Sequence, residues 1–167
     1  NFYDSKEKSS EQYLTTHVIS KNNFQYYKET GLRDKNKNTL LNYAIKNRDF
    51  ELAKSELKYC SYGKPSVTGY TPLMNLIKLY MEMYDNYYTS FSSYDEFDDD
   101  SDNESNEEFD RITINIKNLF DKMIKRPLAC NLYQKNKFKE TVFDISLRIS
   151  NLYFFNKLIE ICDLTRF

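Results

Sequence analysis

Gly69-Tyr70-Thr71-Pro72-Leu73-Met74-Asn75-Leu76 is the stretch on which the fold turns, because the chain repeats it. Asn38-Thr39-Leu40-Leu41-Asn42-Tyr43-Ala44 and Lys139-Glu140-Thr141-Val142-Phe143-Asp144-Ile145-Ser146 open on a threonine in the same way. A fourth copy lacks the threonine: Tyr13-Leu14-Thr15-Thr16-His17-Val18-Ile19-Ser20-Lys21-Asn22-Asn23-Phe24 aligns with Leu40 to Phe50, only 26 positions upstream. Self-similarity of this kind sets the architecture before any local reading does.

Each copy reads as a short helix. In Leu40, Leu41, Ala44 and Ile45 the apolar residues form a helical stripe. Thr39 precedes the stripe as an N-cap whose hydroxyl can take an orphan backbone N–H. Thr71-Pro72 is stronger still, since proline in the first helical position forfeits no hydrogen bond. A second helix follows each first one. Its stripe is Phe50, Ala53 and Leu57, and it recurs as Ile116-Lys117-Asn118-Leu119-Phe120 and Leu152 to Ile159. Helices this short are unstable alone in water, so the pairs must stack to bury a shared core.

Thr71-Pro72-Leu73, with Gly69 two residues before the threonine and Asp34 five before Thr39, resembles the ankyrin repeat. That unit is a turn followed by two antiparallel helices opening on T-P-L-H. Thr39 and Thr71 are 32 positions apart, close to the family period of about 33. The chain departs from the pattern in several places. Asn42, Met74 and Asp144 stand where the family has histidine, and Asn47-Arg48-Asp49 and Ser150-Asn151 replace the glycine between helices. The resemblance covers most of residues 11–162. It implies an all-α, ankyrin-like helix-pair solenoid of about four units in a single domain, residues 1–167, with the outer units as caps.

Thr71 and Thr141 are 70 positions apart, and one unit with a long insertion accounts for the step. A first helix is expected from Pro72 to about Met83 and a second from Ile112 to about Lys125. Between Tyr84 and Phe109 the apolar rhythm is lost. Ten of the 25 acidic residues fall between Asp95 and Asp110 with no basic residue among them. Such crowded like charge predicts a solvated, mobile insertion, residues 86–108, at the turn between two helices of one repeat. Pro127 to Tyr133 reads as a loop. Asp98, Asp100 and Asp102 alternate like a calcium loop, but Asn103 and Phe109 replace the glycine and glutamate that such a loop needs. Ser101 and Ser105, each three residues before a glutamate, fit an acidophilic kinase, though such triplets arise freely in acidic tracts.

With the insertion set aside, 24 basic residues face 15 acidic ones, so the rest of the chain is basic. The lysines are scattered and no nucleic-acid recognition motif accompanies them, which disfavours nucleic acid as a partner. Forty per cent hydrophobic residues, with only three glycines and three prolines, fit a helical core. The wealth of Tyr, Phe, Asn and Lys matches codon use in an AT-rich genome. Cys60, Cys130 and Cys162 are an odd set without C-x-x-C spacing, each expected near the end of a second helix, and they frame neither disulfides nor zinc. No membrane-spanning run and no leader is visible. The chain begins at Asn1, so a processed or trimmed form is expected, exported if a leader has been removed and cytoplasmic otherwise.

Catalytic chemistry finds little support. His17 is the single histidine and aligns with Tyr43 as a helix residue. Gly63 and Gly69 lack the G-K-[ST] of a phosphate loop. No cofactor or metal is expected, and a monomeric, non-catalytic protein-interaction module is. The resemblance implies a concave binding surface of turn tips and first helices. The tips are Lys35, Asn36, Lys37 and Asn38; Val67, Thr68 and Tyr70; and Lys137, Phe138 and Lys139. Asn42, Lys46, Asn75 and Lys78 come from the first helices. Their basic character favours an acidic protein partner. The alternatives are a regulatory or adaptor fragment recognised through its acidic insertion, and, behind it, nucleic-acid binding.

Overall fold

The computed structural model describes residues 17–58, 63–91, 102–149 and 151–164. Among them are eight helices and no strand: α1 Phe24–Thr30, α2 Leu40–Lys46, α3 Phe50–Glu56, α4 Pro72–Phe91, α5 Asp102–Ile124, α6 Pro127–Cys130, α7 Val142–Leu147 and α8 Tyr153–Leu164. The protein is all-α.

The threonines start the helices as their chemistry requires. Thr39 Oγ1 accepts the Asn42 N–H at 3.3 Å, and Thr71 Oγ1 accepts the Met74 N–H at 3.3 Å. At Thr141 the exchange is reciprocal: its hydroxyl accepts from the Asp144 N–H while the Asp144 carboxylate takes the Thr141 N–H at 2.7 Å. That hydrogen bonding holds the Asp144 carboxyl below its ordinary value. Between α2 and α3, Arg48 takes the left-handed conformation at φ 58°, where glycine is the usual residue. Asp49 then caps α3 by accepting the Leu52 N–H at 3.0 Å.

Three helix pairs follow one another: α2 with α3, α4 with α5, α7 with α8. First helices lie side by side, α2 against α4 and α4 against α7, and α3 lies against α5. Leu41, Ile45, Leu73, Leu76, Ile77, Ile116, Leu119, Phe120, Phe154 and Leu158 are buried between the layers. Phe154 of α8 is wedged between Tyr80 of α4 (4.9 Å, edge-on) and Phe120 of α5 (4.8 Å, edge-on).

Four expectations need correction. The helices do not stop at Met83 and Ile112: α4 runs on to Phe91 and α5 begins at Asp102, so only residues 92–101 of the acidic insertion lie outside the described helices. Tyr87 stacks on Phe109 at 4.1 Å and its hydroxyl donates to Asn106, so contacts across the two helices replace an apolar rhythm. The first copy is not helical at His17, Val18 and Ile19. There the Asn23 side chain ties the chain into a turn, accepting the Ser20 N–H at 2.7 Å and donating to the Val18 carbonyl at 3.0 Å. Thr15 and the rest of that copy's start, and Cys60, lie outside the described residues.

The other two corrections are local. Pro127 to Cys130 forms one helical turn, α6, closed by Asn131 at φ 47°. Cys130 accordingly sits in α6 rather than in a second helix; it is buried, its thiol donates to the Met123 carbonyl at 3.2 Å, and burial pushes its pKa up to about 12.

Candidate functional site: a row of turns and the groove beside it

Each threonine cap is preceded by the same five-residue turn. Asp34 N–H donates to Asn38 O and Lys37 N–H to Asp34 O. Ser66 with Tyr70 and Gly69, and Asn136 with Glu140 and Lys139, repeat both bonds at 2.9–3.0 Å. The residue two before the threonine is left-handed in all three: Lys37 at φ 57°, Gly69 at 80° and Lys139 at 65°. A carboxylate or amide braces two of the turns from inside. Buried Asp34 accepts from the N–H groups of Asn36, Asn38 and Ile19, and buried Asn136 from those of Phe138 and Glu140.

Successive turns are joined by one backbone hydrogen bond each. Lys35 N–H donates to His17 O at 3.0 Å, Val67 N–H to Asn36 O at 2.9 Å and Lys137 N–H to Thr68 O at 2.9 Å. The last bond spans the 70-residue step, so Thr71 and Thr141 open neighbouring pairs. Arg33 adds a clamp, donating from Nε to the Lys37 carbonyl at 2.7 Å and from Nη2 to the Pro65 carbonyl of the next turn. Gly69 is required twice over: besides its positive φ, a Cβ there would come within 2.7 Å of Asn136 Cα.

The row of turns places the predicted residues along one edge. Lys35, Lys37, Val67, Lys137, Phe138 and Lys139 are exposed, and Asn36, Asn38, Thr68 and Tyr70 half-buried. Beside them run two cavities. The larger, about 570 Å³, is lined by Asn36, Asn38 and Thr68 of the turns and by Asn42, Lys46, Asn75 and Lys78 of α2 and α4. The smaller, about 400 Å³, is bounded by Tyr70, Lys78, Met81, Phe138, Glu140, Ile145 and Arg148. Lys78 borders both. Lys35, Lys37, Val67, Lys137 and Lys139 stand on the turns without lining either cavity.

Asn42 is 4% exposed; its Oδ1 accepts Asn75 Nδ2 at 2.7 Å, and its own Nδ2 has no hydrogen-bond partner. A buried amide N–H left unmatched costs about 1–3 kcal/mol. Lys78 pairs with Glu82 at 3.4 Å and stands over the Tyr70 ring at 5.8 Å, while Arg148 pairs with Glu140 at 3.1 Å. The Lys78–Glu82 pair is open to solvent on both sides, where such contacts hold weakly, while Glu140 of the second pair is half-buried.

Lys21 lines the larger cavity and Arg148 the smaller, two cations that the repeat alignment does not single out. Lys21 was hidden by the helical reading of the first copy. A signal for Arg148 was present, because Lys46, Lys78 and Arg148 each lie seven residues after a capping threonine. His17 contributes its carbonyl to the row of turns. Among the described residues no group of three or more His, Cys, Asp and Glu is placed to hold a metal ion, and no helix is long and apolar enough to cross a membrane.

No protein-family model, no curated protein and no solved structure matches this chain.

Proposed function

We propose that the chain is an ankyrin-like stack of helix pairs that acts as a non-catalytic module for binding a protein partner along its row of turns and first helices. One observation carries the reading: three turns of matching backbone hydrogen bonding, joined one to the next, set polar and basic side chains from three pairs along two cavities that meet at Lys78. The chemistry of the groove suits adhesion rather than turnover. Asp34 is spent on the turn, the Ser66 and Thr68 hydroxyls bond each other at 2.8 Å, and the lining carboxylates Glu82 and Glu140 are paired with Lys78 and Arg148, which leaves amides and cations as the main groups for a ligand.

The test is capture of partners from the native source on immobilised protein, with and without nuclease, comparing the parent with the K46E/K78E double variant. Both lysines are exposed, so melting should not change. Capture should fall in the variant, weaken as salt rises and survive nuclease. A partner held equally well by the double variant but lost when residues 90–108 are removed would replace this reading by recognition through the acidic arm.

A further inference from the structure

We infer that the groove takes an extended, polyproline-type peptide carrying an acidic residue at every third position. The inference rests on the reading of this surface as a docking face and specifies its ligand. Its basis is the row formed by Lys46, Lys78 and Arg148, one cation in the same register of each helix pair, with the two cavities strung between them. Neighbouring helix axes are spaced by about 8–10 Å. A polyproline helix repeats every three residues and rises about 3.1 Å per residue, so one of its faces recurs at roughly the same interval. Acidic side chains at i, i+3 and i+6 on that face therefore meet the three cations in turn.

Two further features fit that ligand. Tyr70, Met81, Phe138 and Ile145 form an apolar wall between Lys78 and Arg148, the kind of surface on which proline rings settle. Asn42 lines the larger cavity together with Lys46 and Lys78, and its buried Nδ2–H is a donor without an acceptor. A polyproline backbone makes no hydrogen bonds of its own, so its carbonyls are free to supply one. The acidic groups already at the groove do not oppose this. Asp34 is buried in its turn, Glu82 holds Lys78 through a solvent-exposed pair that an incoming carboxylate replaces, and Glu140, half-buried and also bonded by Asn136 Nδ2, leaves the half-exposed Arg148 guanidinium able to take a second carboxylate.

The experiment is fluorescence anisotropy with two labelled twelve-residue peptides of one composition. One repeats Glu-Pro-Pro four times; the other gathers its four glutamates at one end. The repeating peptide should bind at least about tenfold more tightly, and K78E should abolish the difference. Asn42→Leu removes the unmatched Nδ2 but also the acceptor of Asn75 Nδ2, two opposing effects that should leave melting little changed, and it should weaken the repeating peptide about tenfold or more. Equal affinity for both peptides would show charge attraction without register and overturn the inference. So would full affinity in Asn42→Leu. If neither peptide binds while partner capture still depends on Lys46 and Lys78, the inference falls and the docking face stands.

Discussion

The two ends of the α4–α5 hairpin follow different rules. At the turn end, each residue answers to neighbours on both sides. Thr71 caps α4, Gly69 touches the next turn, and Leu73, Leu76, Ile77, Leu119 and Phe120 are fully buried. At the far end, α4 and α5 outrun the seven-residue helices of the α2–α3 pair and touch chiefly each other, through Tyr87, Asn106 and Phe109. With about 1.5 Å per residue, α4 spans roughly 30 Å where α2 spans about 10 Å. Turn geometry and the first two helical turns are what neighbouring pairs share, and helix length beyond them is free to vary.

The sharpest way to break that contrast is a pair of ring truncations on the one hairpin. Phe120→Ala should cost about 3–5 kcal/mol, since it empties a site against Phe154 and Tyr153. Tyr87→Ala should cost about 1–2 kcal/mol, the worth of a half-buried ring on Phe109 and Tyr88 with a hydroxyl bonded to Asn106. Chemical denaturation of both variants measures the difference, and equal losses would make the arm part of the core.

At the turn end a single methyl group should matter. Gly69→Ala meets the backbone of Asn136 as well as the left-handed penalty, and should cost about 1–3 kcal/mol in the same assay. Lys37→Gly removes that penalty at the equivalent position and should stabilise by up to about 1 kcal/mol. A loss on Lys37→Gly would mean that the three turns are not equivalent.

Acid should act on the same end. The Asp144 carboxyl titrates below its ordinary value of 3.8 because the Thr141 N–H and hydroxyl favour its charged form. Its contribution is therefore complete above that value and is lost as pH falls through the lower, folded one. Melting of the parent should drop more steeply below about pH 4 than that of Asp144→Ala, which has no such charge to lose. Parallel curves would remove Asp144 from the acid response.

The smallest effect belongs to the arm itself. Replacing residues 90–108 by a short flexible linker removes the facing ends of α4 and α5 and the Tyr87–Asn106 bond but keeps Phe109, and should leave unfolding cooperative and shift Tm by no more than about 3 °C, since closure cost varies by only about 0.6 kcal/mol per doubling of loop length. Loss of cooperativity would place the arm among the structural elements.

The parts legible in the sequence are those whose chemistry is local. Thr39, Thr71 and Thr141 announce their helices because a capping hydroxyl bonds its own backbone three residues on, and Pro72 fixes the first turn of α4 by itself. The far arm looks irregular in sequence because its helices are held by the Tyr87–Phe109 contact, which no period along one strand of sequence displays. His17 was assigned to a helix because the bond that sets its conformation comes from Lys35 in the next turn. The two cavities likewise exist only between helices, so Lys46 and Lys78 were legible as first-helix residues while their meeting along one groove was not. Arg148 was within reach through its spacing from Thr141.

The single backbone hydrogen bond at each junction makes the row of turns a set of gauges. The amide protons of Lys35, Val67 and Lys137 are each held by the preceding turn and by nothing else in the backbone. Their exchange with solvent thus reports the opening of one seam at a time, well before the whole chain unfolds. A ligand that spans two pairs would slow the amide between them and leave the other two untouched, so three resonances suffice to map where along the stack anything has bound.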